Sequence, residues 1–186
     1  MISDSPTAAP RPASIWRTVG RLWPSLFTVP WRIVRQGRDG LCFVHPRAIV
    51  RGHVHYGRYC EVGPAVFLNA GSAGIRIGAY SQLNPHASVI GNVTIGDRVL
   101  IAPGVVIAAG GHRFGKGIQP RFNGTGADIS IVIGDDSWIG ANVSIIGMVT
   151  IGAGCVVAAG VVVDRDIPPE TLVRRAGESI VLEPLR

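Results

Sequence analysis

The sequence predicts an all-β protein built as a parallel β-helix, and three observations lead to this prediction. A six-residue period begins at Val44 and supplies 17 repeat units, of which 16 start with Val, Ile or Leu. The chain contains 23 Val and 20 Ile against 9 Leu, and β-branched side chains suit strands better than helices. Gly fills 25 of 186 positions, nearly double its usual share of ~7%.

The repeat units follow one another in three blocks. Four hexads begin at Val44, and a nine-residue unit over residues 68–76 follows them. Six hexads begin at Ile77, and six more begin at Ile133 after an interruption over residues 113–132. Six residues suffice for one short strand and one corner, so three units close a coil of about 18 residues with the first position pointing inward. The sequence therefore predicts about six coils over residues 44–168, a bulged corner in the nine-residue unit and a long loop after the fourth coil.

Composition disfavours several other classes of protein. Three Cys in 186 residues are too few, and odd in number, for a disulfide scaffold. The longest strongly apolar stretch, residues 99–111, is shorter than the about 20 residues of a spanning helix and is interrupted by Gly and Pro. No secretory signal is evident near Met1. We expect a cytoplasmic protein with reduced thiols.

The positive charge is concentrated in an N-terminal arm, residues 1–43. Residues 1–40 hold six Arg and two acidic residues, so a nucleic-acid partner for the main body is not expected. Residues 14–35 combine four of these arginines with three Trp. This segment is interpreted as a cap on the open first coil, as a packing element between copies of the chain, or as a peripheral contact with the anionic inner face of a membrane. We expect residues 169–186, after the repeat, to form a short C-terminal tail.

Several local motifs resemble those of a known family. They are Ile95 to Val105 (IGDRVLIAPGV), His112 at the opening of the loop, Ile133 to Asn142 (IGDDSWIGAN), Val149 to Gly152 (VTIG) and Asp164 to Thr171 (DRDIPPET). Together they resemble the hexapeptide-repeat acyltransferases, in the branch that contains galactoside and maltose acetyltransferases and many polysaccharide O-acetyltransferases. The resemblance covers about residues 44–173 and implies that the β-helix is left-handed.

The resemblance also implies an activity. It implies a homotrimer with each active site between two prisms, and transfer of an acetyl group from acetyl-CoA to a hydroxyl of a sugar or polysaccharide precursor, with no metal required. His112 takes the role of general base. This role is chemically sensible, because a neutral imidazole can accept the proton of a hydroxyl that attacks a thioester. The alternative for His112 is an ordinary exposed loop histidine.

The cofactor contacts implied by the resemblance lie in the last coils. The backbone N–H of Ala141, from the facing subunit, would stabilise the oxyanion, and Ala159 would contact the pantetheine arm. Arg165, Arg174 and Arg175 are the candidates for the phosphates of coenzyme A. The chain departs from the family ending after Val173, and an ion pair with Asp164 or Asp166 is the alternative for Arg165.

Two residues are candidates for binding the acceptor. Asn84 matches a family asparagine that hydrogen-bonds the sugar, and its alternative is a corner residue, where Asn is favoured. Trp138 matches a tryptophan beside the acceptor end of the cleft, and its alternative is packing against the loop.

Other functions stay open at this point. An N-acetyltransferase acting on an amino sugar is a close variant. A γ-carbonic-anhydrase-like protein would need three zinc-binding histidines, but His112 is the last histidine of the chain. A non-catalytic β-helix subunit is the remaining alternative.

Overall fold

The computed structural model describes residues 32–35, 41–113, 115–122, 124, 129–177 and 179–185. These residues form eighteen strands, numbered β1 to β18 in chain order, and no helix. The strands wind into a left-handed β-helix, so the predicted fold class is confirmed. Among the described residues no helix could cross a bilayer. Apart from Arg32–Arg35, the predicted cap or membrane segment of the arm lies outside the described residues.

The first face of the prism is one sheet of nine strands. Its seven central strands are parallel, and one antiparallel strand flanks them at each end. In spatial order they are β1 (Arg32–Arg35), β2 (Leu41–Val44), β5 (Glu61–Val62), β7 (Gln82–Leu83), β9 (Leu100–Ile101), β12 (Trp138–Ile139), β15 (Val156–Val157), β17 (Thr171–Ala176) and β18 (Ser179–Pro184).

The second and third faces are made by the strands between those of the first face. Two long strands, β6 (Phe67–Ile77) and β8 (Ser88–Ile95), bend and contribute to both. The second face also contains β3 (Ile49–Arg51), β10 (Val106–Ala108), β13 (Ser144–Ile146) and β16 (Val162–Val163). The third face also contains β4 (Val54–Tyr56), β11 (Ser130–Ile133), β14 (Val149–Ile151) and a bridge at Ile167.

Three edges join these faces. The first edge joins the first face to the second, the second edge joins the second face to the third, and the third edge leads into the next coil. The strands make six coils, and β17 begins a seventh on the first face. This strand falls within the predicted tail, and it stacks on β15 because its Val173 is fully buried at the end of the core.

The first hexad position fills the interior, as predicted. Ile101, Ile107 and Ile133 represent the three faces in one coil and are at most 1% exposed. Burying such a side chain contributes about 1.5–3 kcal/mol, so the stacked aliphatic ladder is the main source of stability. Val50 is the exception at 41% exposed, because no described strand stacks on the N-terminal side of β3.

The two predicted irregularities both lie at the second edge. The nine-residue unit bulges, since the register of β6 against β8 shifts between Ala70 and Ile75. The long loop leaves the fourth coil between its second and third sides, not after that coil as predicted, because β11 returns to complete the third side against β8. Its return strand β11 begins at Ser130, inside the predicted loop of 113–132, because Ile131 is buried between Val93 and Val149 of the adjacent coils.

Hydrogen bonds and ion pairs along the third edge connect successive coils. Asp97 accepts a hydrogen bond from the Ala79 N–H at 2.7 Å, and its own N–H donates to Asp135 at 2.9 Å. The Arg98 guanidinium donates to both carboxylate oxygens of Asp136, at 2.6 and 2.8 Å. These hydrogen bonds lower the pKa of the Asp136 carboxyl below its ordinary value.

Coil spacing at this edge depends on glycine, and Gly78→Ala tests this. A Cβ at Gly78 would lie 2.6 Å from the Asp97 nitrogen and closer still to the Gly96 carbonyl, so the coils would have to separate. We expect the free energy of unfolding to fall by about 2–3 kcal/mol, measured by denaturant titration. Gly111→Ala is the matched control, because a Cβ there meets no atom within 4 Å, and it should change stability by less than about 0.5 kcal/mol. Equal effects of the two substitutions would contradict this account of the stacking.

Candidate active site

His112 lies on the second edge, at the point where the loop leaves the prism. The N–H of Ala109 donates to the Ile90 carbonyl at 2.9 Å, which keeps the end of β10 in the stack. Gly110 and Gly111 then lead the chain outward, and a Cβ on either would meet no atom within 4 Å. The His112 side chain is exposed. The structure thus places this imidazole at the surface, with open space on its N-terminal side.

Asn84 lies on the first edge, not beside His112. Its side-chain amide donates to the carbonyl of Ile101 in the next coil at 2.8 Å. The amide therefore connects two coils, which is the corner role considered for it above. The side-chain oxygen of Asn84 accepts no hydrogen bond from a described residue. This atom could therefore accept a hydrogen bond from a hydroxyl group.

Ala141 and Ala159 occupy the same first-edge corner in the fifth and sixth coils. The corresponding position in the first four coils is a proline in every case (Pro46, Pro64, Pro85 and Pro103). Proline has no N–H and suits this turn position. The change from Pro to Ala therefore introduces a backbone N–H at this corner in the two coils that the resemblance assigns to the cofactor.

These two N–H groups are available to a ligand. The residues around them are paired: Gly140 donates to Val157 at 2.8 Å, and Gly160 donates to the Ala141 carbonyl at 2.9 Å. Neither Ala141 nor Ala159 donates its N–H to another residue in the part of the chain that is described. Sequence reasoning missed this signal, although the column of four prolines is visible in the sequence once the coils are aligned.

Trp138 lies on the outer side of the first face, beside the first edge. It pairs in register with Leu100 and Val156, and its side chain is 51% exposed. An exposed Trp two residues before Gly140 extends apolar surface toward the Ala141 corner. This position suits contact with a ligand or with a second protein chain.

The predicted phosphate-binding arginines are divided between two places. Arg165 lies on the second edge and pairs with Asp164 at 3.0 Å, and both side chains are more than half exposed. Arg174 pairs with Glu183 across the β17–β18 hairpin, with Nε 3.2 Å from Oε2. Arg175 follows it on β17 and is exposed. A phosphate would have to compete with a carboxylate for Arg165 and Arg174.

The cysteines do not offer a nucleophile. Cys42, Cys60 and Cys155 are all buried, Cys60 and Cys155 fully. A hydrogen bond with the Cys42 thiol, and then burial, raise the pKa of Cys60, and burial raises the pKa of Cys155. The described part of the chain likewise contains no group of three His, Cys, Asp or Glu side chains that could hold a metal ion.

One chain does not bring the candidate residues together. His112 and Arg165 are on the second edge, whereas Asn84, Ala141 and Ala159 are on the first, with the whole second face between them. The outer side of this second face carries exposed Val106, Ile146 and Val162. A complete set of these groups therefore requires two copies of the chain, side by side.

Comparison with known proteins supplies the family. Residues 74–109 and 130–165 match the bacterial transferase hexapeptide (six repeats) family. A hexapeptide-repeat-containing acetyltransferase from Vibrio cholerae, solved with acetyl coenzyme A, is 33% identical, covers 78% of this chain and 71% of its own, and has a TM-score of 0.53. The chain belongs to the hexapeptide-repeat transferases. The resemblance inferred from the motifs is confirmed.

Two further proteins are similar to this chain, one in sequence and one in fold. The galactoside O-acetyltransferase of Escherichia coli K12 is 39% identical over 118 residues, which cover 62% of this chain and 57% of that protein. The chain thus spans little more than half of that relative. PerB from Caulobacter crescentus, solved with CoA and GDP-perosamine, shares the fold at a TM-score of 0.59 and 23% identity, covering 90% of this chain and 65% of its own.

Proposed function

We propose that this protein transfers an acetyl group from acetyl-CoA to a hydroxyl of a sugar or polysaccharide precursor. One observation carries the proposal: the N–H groups of Ala141 and Ala159 on the first edge donate to no described residue, at a corner position that is proline in the first four coils. Backbone donors of this kind stabilise the oxyanion of acyl transfer. The similarity to a galactoside O-acetyltransferase supports a sugar hydroxyl as the acceptor.

The active form in this proposal is a homotrimer. The first edge of one subunit faces the second edge of the next, which brings His112 opposite Ala141 of the partner subunit. A head-to-tail contact of this kind closes into a ring when the rotation is threefold. The exposed apolar side chains of the second face, Val106, Ile146 and Val162, then become covered, which favours association.

The reaction proceeds by direct transfer. The neutral imidazole of His112 accepts the hydroxyl proton while the hydroxyl oxygen attacks the thioester carbonyl. The N–H of Ala141 of the partner subunit donates to the resulting oxyanion. The C–S bond then breaks, the thiolate of coenzyme A takes the proton from the imidazolium, and the acetyl ester is released. The acetyl group is not carried on a cysteine in this proposal, because all three thiols are buried.

The remaining residues bind the two substrates. Ala159 donates its N–H to the pantetheine arm, and Arg165, Arg174 and Arg175 lie near the phosphates of coenzyme A. The side-chain carbonyl of Asn84 receives a sugar hydroxyl, and the exposed ring of Trp138 lies against the sugar. The ion pairs of Arg165 and Arg174 open when phosphate binds, which exposed ion pairs do at small cost.

Release of coenzyme A tests this proposal. The full chain, acetyl-CoA and a panel of sugars, nucleotide sugars and amino sugars are incubated, and free thiol is measured. We expect thiol release that depends on a hydroxyl acceptor, with a product that mild alkali hydrolyses as it hydrolyses an ester. A product stable to alkali would instead identify an amide and an amino-sugar acceptor. Absence of acceptor-dependent release across the panel would overturn acetyl transfer.

A further inference from the structure

A second cleft lies away from the residues assigned to acetyl transfer. It has a volume of about 540 Å³ and occupies the third face and third edge over the first three coils. The side chains that matter in it are those of His55, Arg58, Arg76, Thr94 and Asp97. Its size is within the range of small-molecule sites, about 300–1,000 Å³. None of these residues belongs to the first or second edge, where the proposed transfer takes place.

One end of this cleft is cationic. His55 and Arg76 lie side by side in register on β4 and β6, and Thr94 on β8 comes next. Arg58 approaches from the third edge, with its guanidinium carbon 5.5 Å from the centroid of the Tyr80 ring. Within the described residues, neither Arg58 nor Arg76 pairs with a carboxylate. Both charges are therefore available to a ligand.

The ring stack beside the cleft holds one of these arginines in place. The ring centroids of Tyr59 and Tyr80 lie 5.4 Å apart, and the Arg58 guanidinium lies over the Tyr80 ring. Stacking on an aromatic face leaves the edge of a guanidinium free to donate. An arginine oriented in this way suits the two oxygens of a phosphate group.

Several backbone N–H groups on the floor of the cleft are already paired. The N–H groups of Gly57, Gly78 and Gly96 donate to carbonyls of the next coil at 2.7–2.8 Å, and that of Ala79 donates to Asp97. These four amides are therefore not available to an anion, which would be held mainly by the side chains at the cationic end.

The other end of the cleft is anionic. Asp97 uses its Oδ1 atom to accept from Ala79 at 2.7 Å, and its Oδ2 atom accepts from none of the described residues. A carboxylate repels phosphate but accepts hydrogen bonds from hydroxyl groups. Together with the Thr94 hydroxyl, it provides a polar end that suits a polyol.

We propose that this cleft binds a sugar phosphate, with the phosphate between Arg58, Arg76 and His55 and the sugar hydroxyls toward Thr94 and Asp97. The two ends of opposite charge match the two ends of such a molecule.

Calorimetric titration of the full chain with glucose 1-phosphate tests this site. We expect saturable binding with Kd below about 1 mM, much weaker binding of glucose, and no displacement by saturating coenzyme A. Arg76→Gln and Arg58→Gln should each weaken binding at least about tenfold, because each removes a charged donor to phosphate. Arg47→Gln, which removes an exposed arginine on the first edge, is the matched control and should leave binding unchanged.

Asp97→Asn separates the two ends of the site. The Asn carbonyl can still accept from Ala79, so the corner is retained while the negative charge is lost. We expect inorganic phosphate to bind more tightly to this variant, and glucose 1-phosphate to lose its advantage over inorganic phosphate.

Four outcomes would overturn the proposal. They are no saturable binding of glucose 1-phosphate to the wild type, equal binding of glucose, unchanged binding by both arginine variants with unchanged melting temperature, and displacement by coenzyme A. Binding to phosphatidylglycerol vesicles that requires the same arginines, without binding of glucose 1-phosphate, would identify a lipid surface instead. Acetyl transfer by Arg76→Gln, measured without added sugar phosphate, should stay within about twofold of wild type, because the two sites share no residue.

Discussion

Replacing His112 with alanine is expected to lower kcat by about 10²- to 10⁴-fold, the usual contribution of a general base, while the KM for acetyl-CoA changes little. The imidazole is exposed at the opening of the loop. Of the residues assigned to the cofactor, only Arg165 lies on the same edge as His112. Removal of the side chain therefore removes proton transfer without removing cofactor contacts. Steady-state kinetics with the best acceptor from the panel provide the measurement.

The control for this prediction is His86→Ala. His86 is exposed on the first edge, two residues after Asn84, and is the other histidine close to the proposed cleft. We expect its replacement to change kcat by less than about threefold. The pH dependence of kcat that a histidine base imposes should persist in His86→Ala and vanish in His112→Ala. A His112→Ala enzyme that keeps more than about a tenth of wild-type kcat, a barrier change below ~1.4 kcal/mol, would move the search for the base to His86.

Replacing Ala141 with proline is expected to lower kcat by about 10²- to 10³-fold, the usual cost of losing one oxyanion donor. The substitution removes the N–H and little else, because proline already occupies this corner in the first four coils. The fold should therefore be retained, with an unchanged melting temperature as the check. Ala141→Gly, which keeps the N–H, is the matched control and should retain most of the activity.

Replacing Ala159 with proline, the equivalent change one coil later, should affect mainly the KM for acetyl-CoA. Ala159→Pro removes the N–H assigned to the pantetheine arm, so we expect the KM for acetyl-CoA to rise with a smaller effect on kcat. An Ala141→Pro enzyme that is well folded and fully active would show that this N–H does not contact the oxyanion.

Mixing the two inactive variants tests whether a site is shared between subunits. In random trimers of His112→Ala and Ala141→Pro chains, about a quarter of the sites combine an intact His112 with an intact Ala141 from the neighbour. We therefore expect co-expression to restore activity to about a quarter of wild type. Activity no higher than that of the separate variants would place the whole site within one chain and contradict the trimer.

The interior of the protein could be predicted from the sequence. Which side chains are buried follows from a local rule, since the first residue of each hexad points inward wherever a coil is stacked on both sides. Ile101 and Ile107 follow this rule, whereas Val50 on the second face of the first coil departs from it. The exposed position of His112 could also be predicted, because two glycines and the end of the period precede it.

The partners of the candidate residues could not be predicted in the same way. Arg174 pairs with Glu183 only because residues 171–184 form a hairpin, and this segment has no hexad period. Whether the N–H groups of Ala141 and Ala159 find a hydrogen-bond partner depends on which carbonyls of the adjacent coil lie next to each corner. Such pairings are contacts between residues far apart in sequence, and composition does not encode them.

The sequence by itself determined the repeating side of the prism, because a six-residue period of aliphatic residues can be buried only as short strands joined by corners. Only the tertiary structure decided which side chains share an edge. His55 and Arg76 are 21 residues apart and Arg76 and Thr94 are 18 apart, yet all three lie side by side because the bulge in β6 absorbs three extra residues. The physical reason is that hydrogen bonds across the whole stack set the register between coils, and an insertion keeps this register only where a bulge or loop at an edge takes up the extra residues.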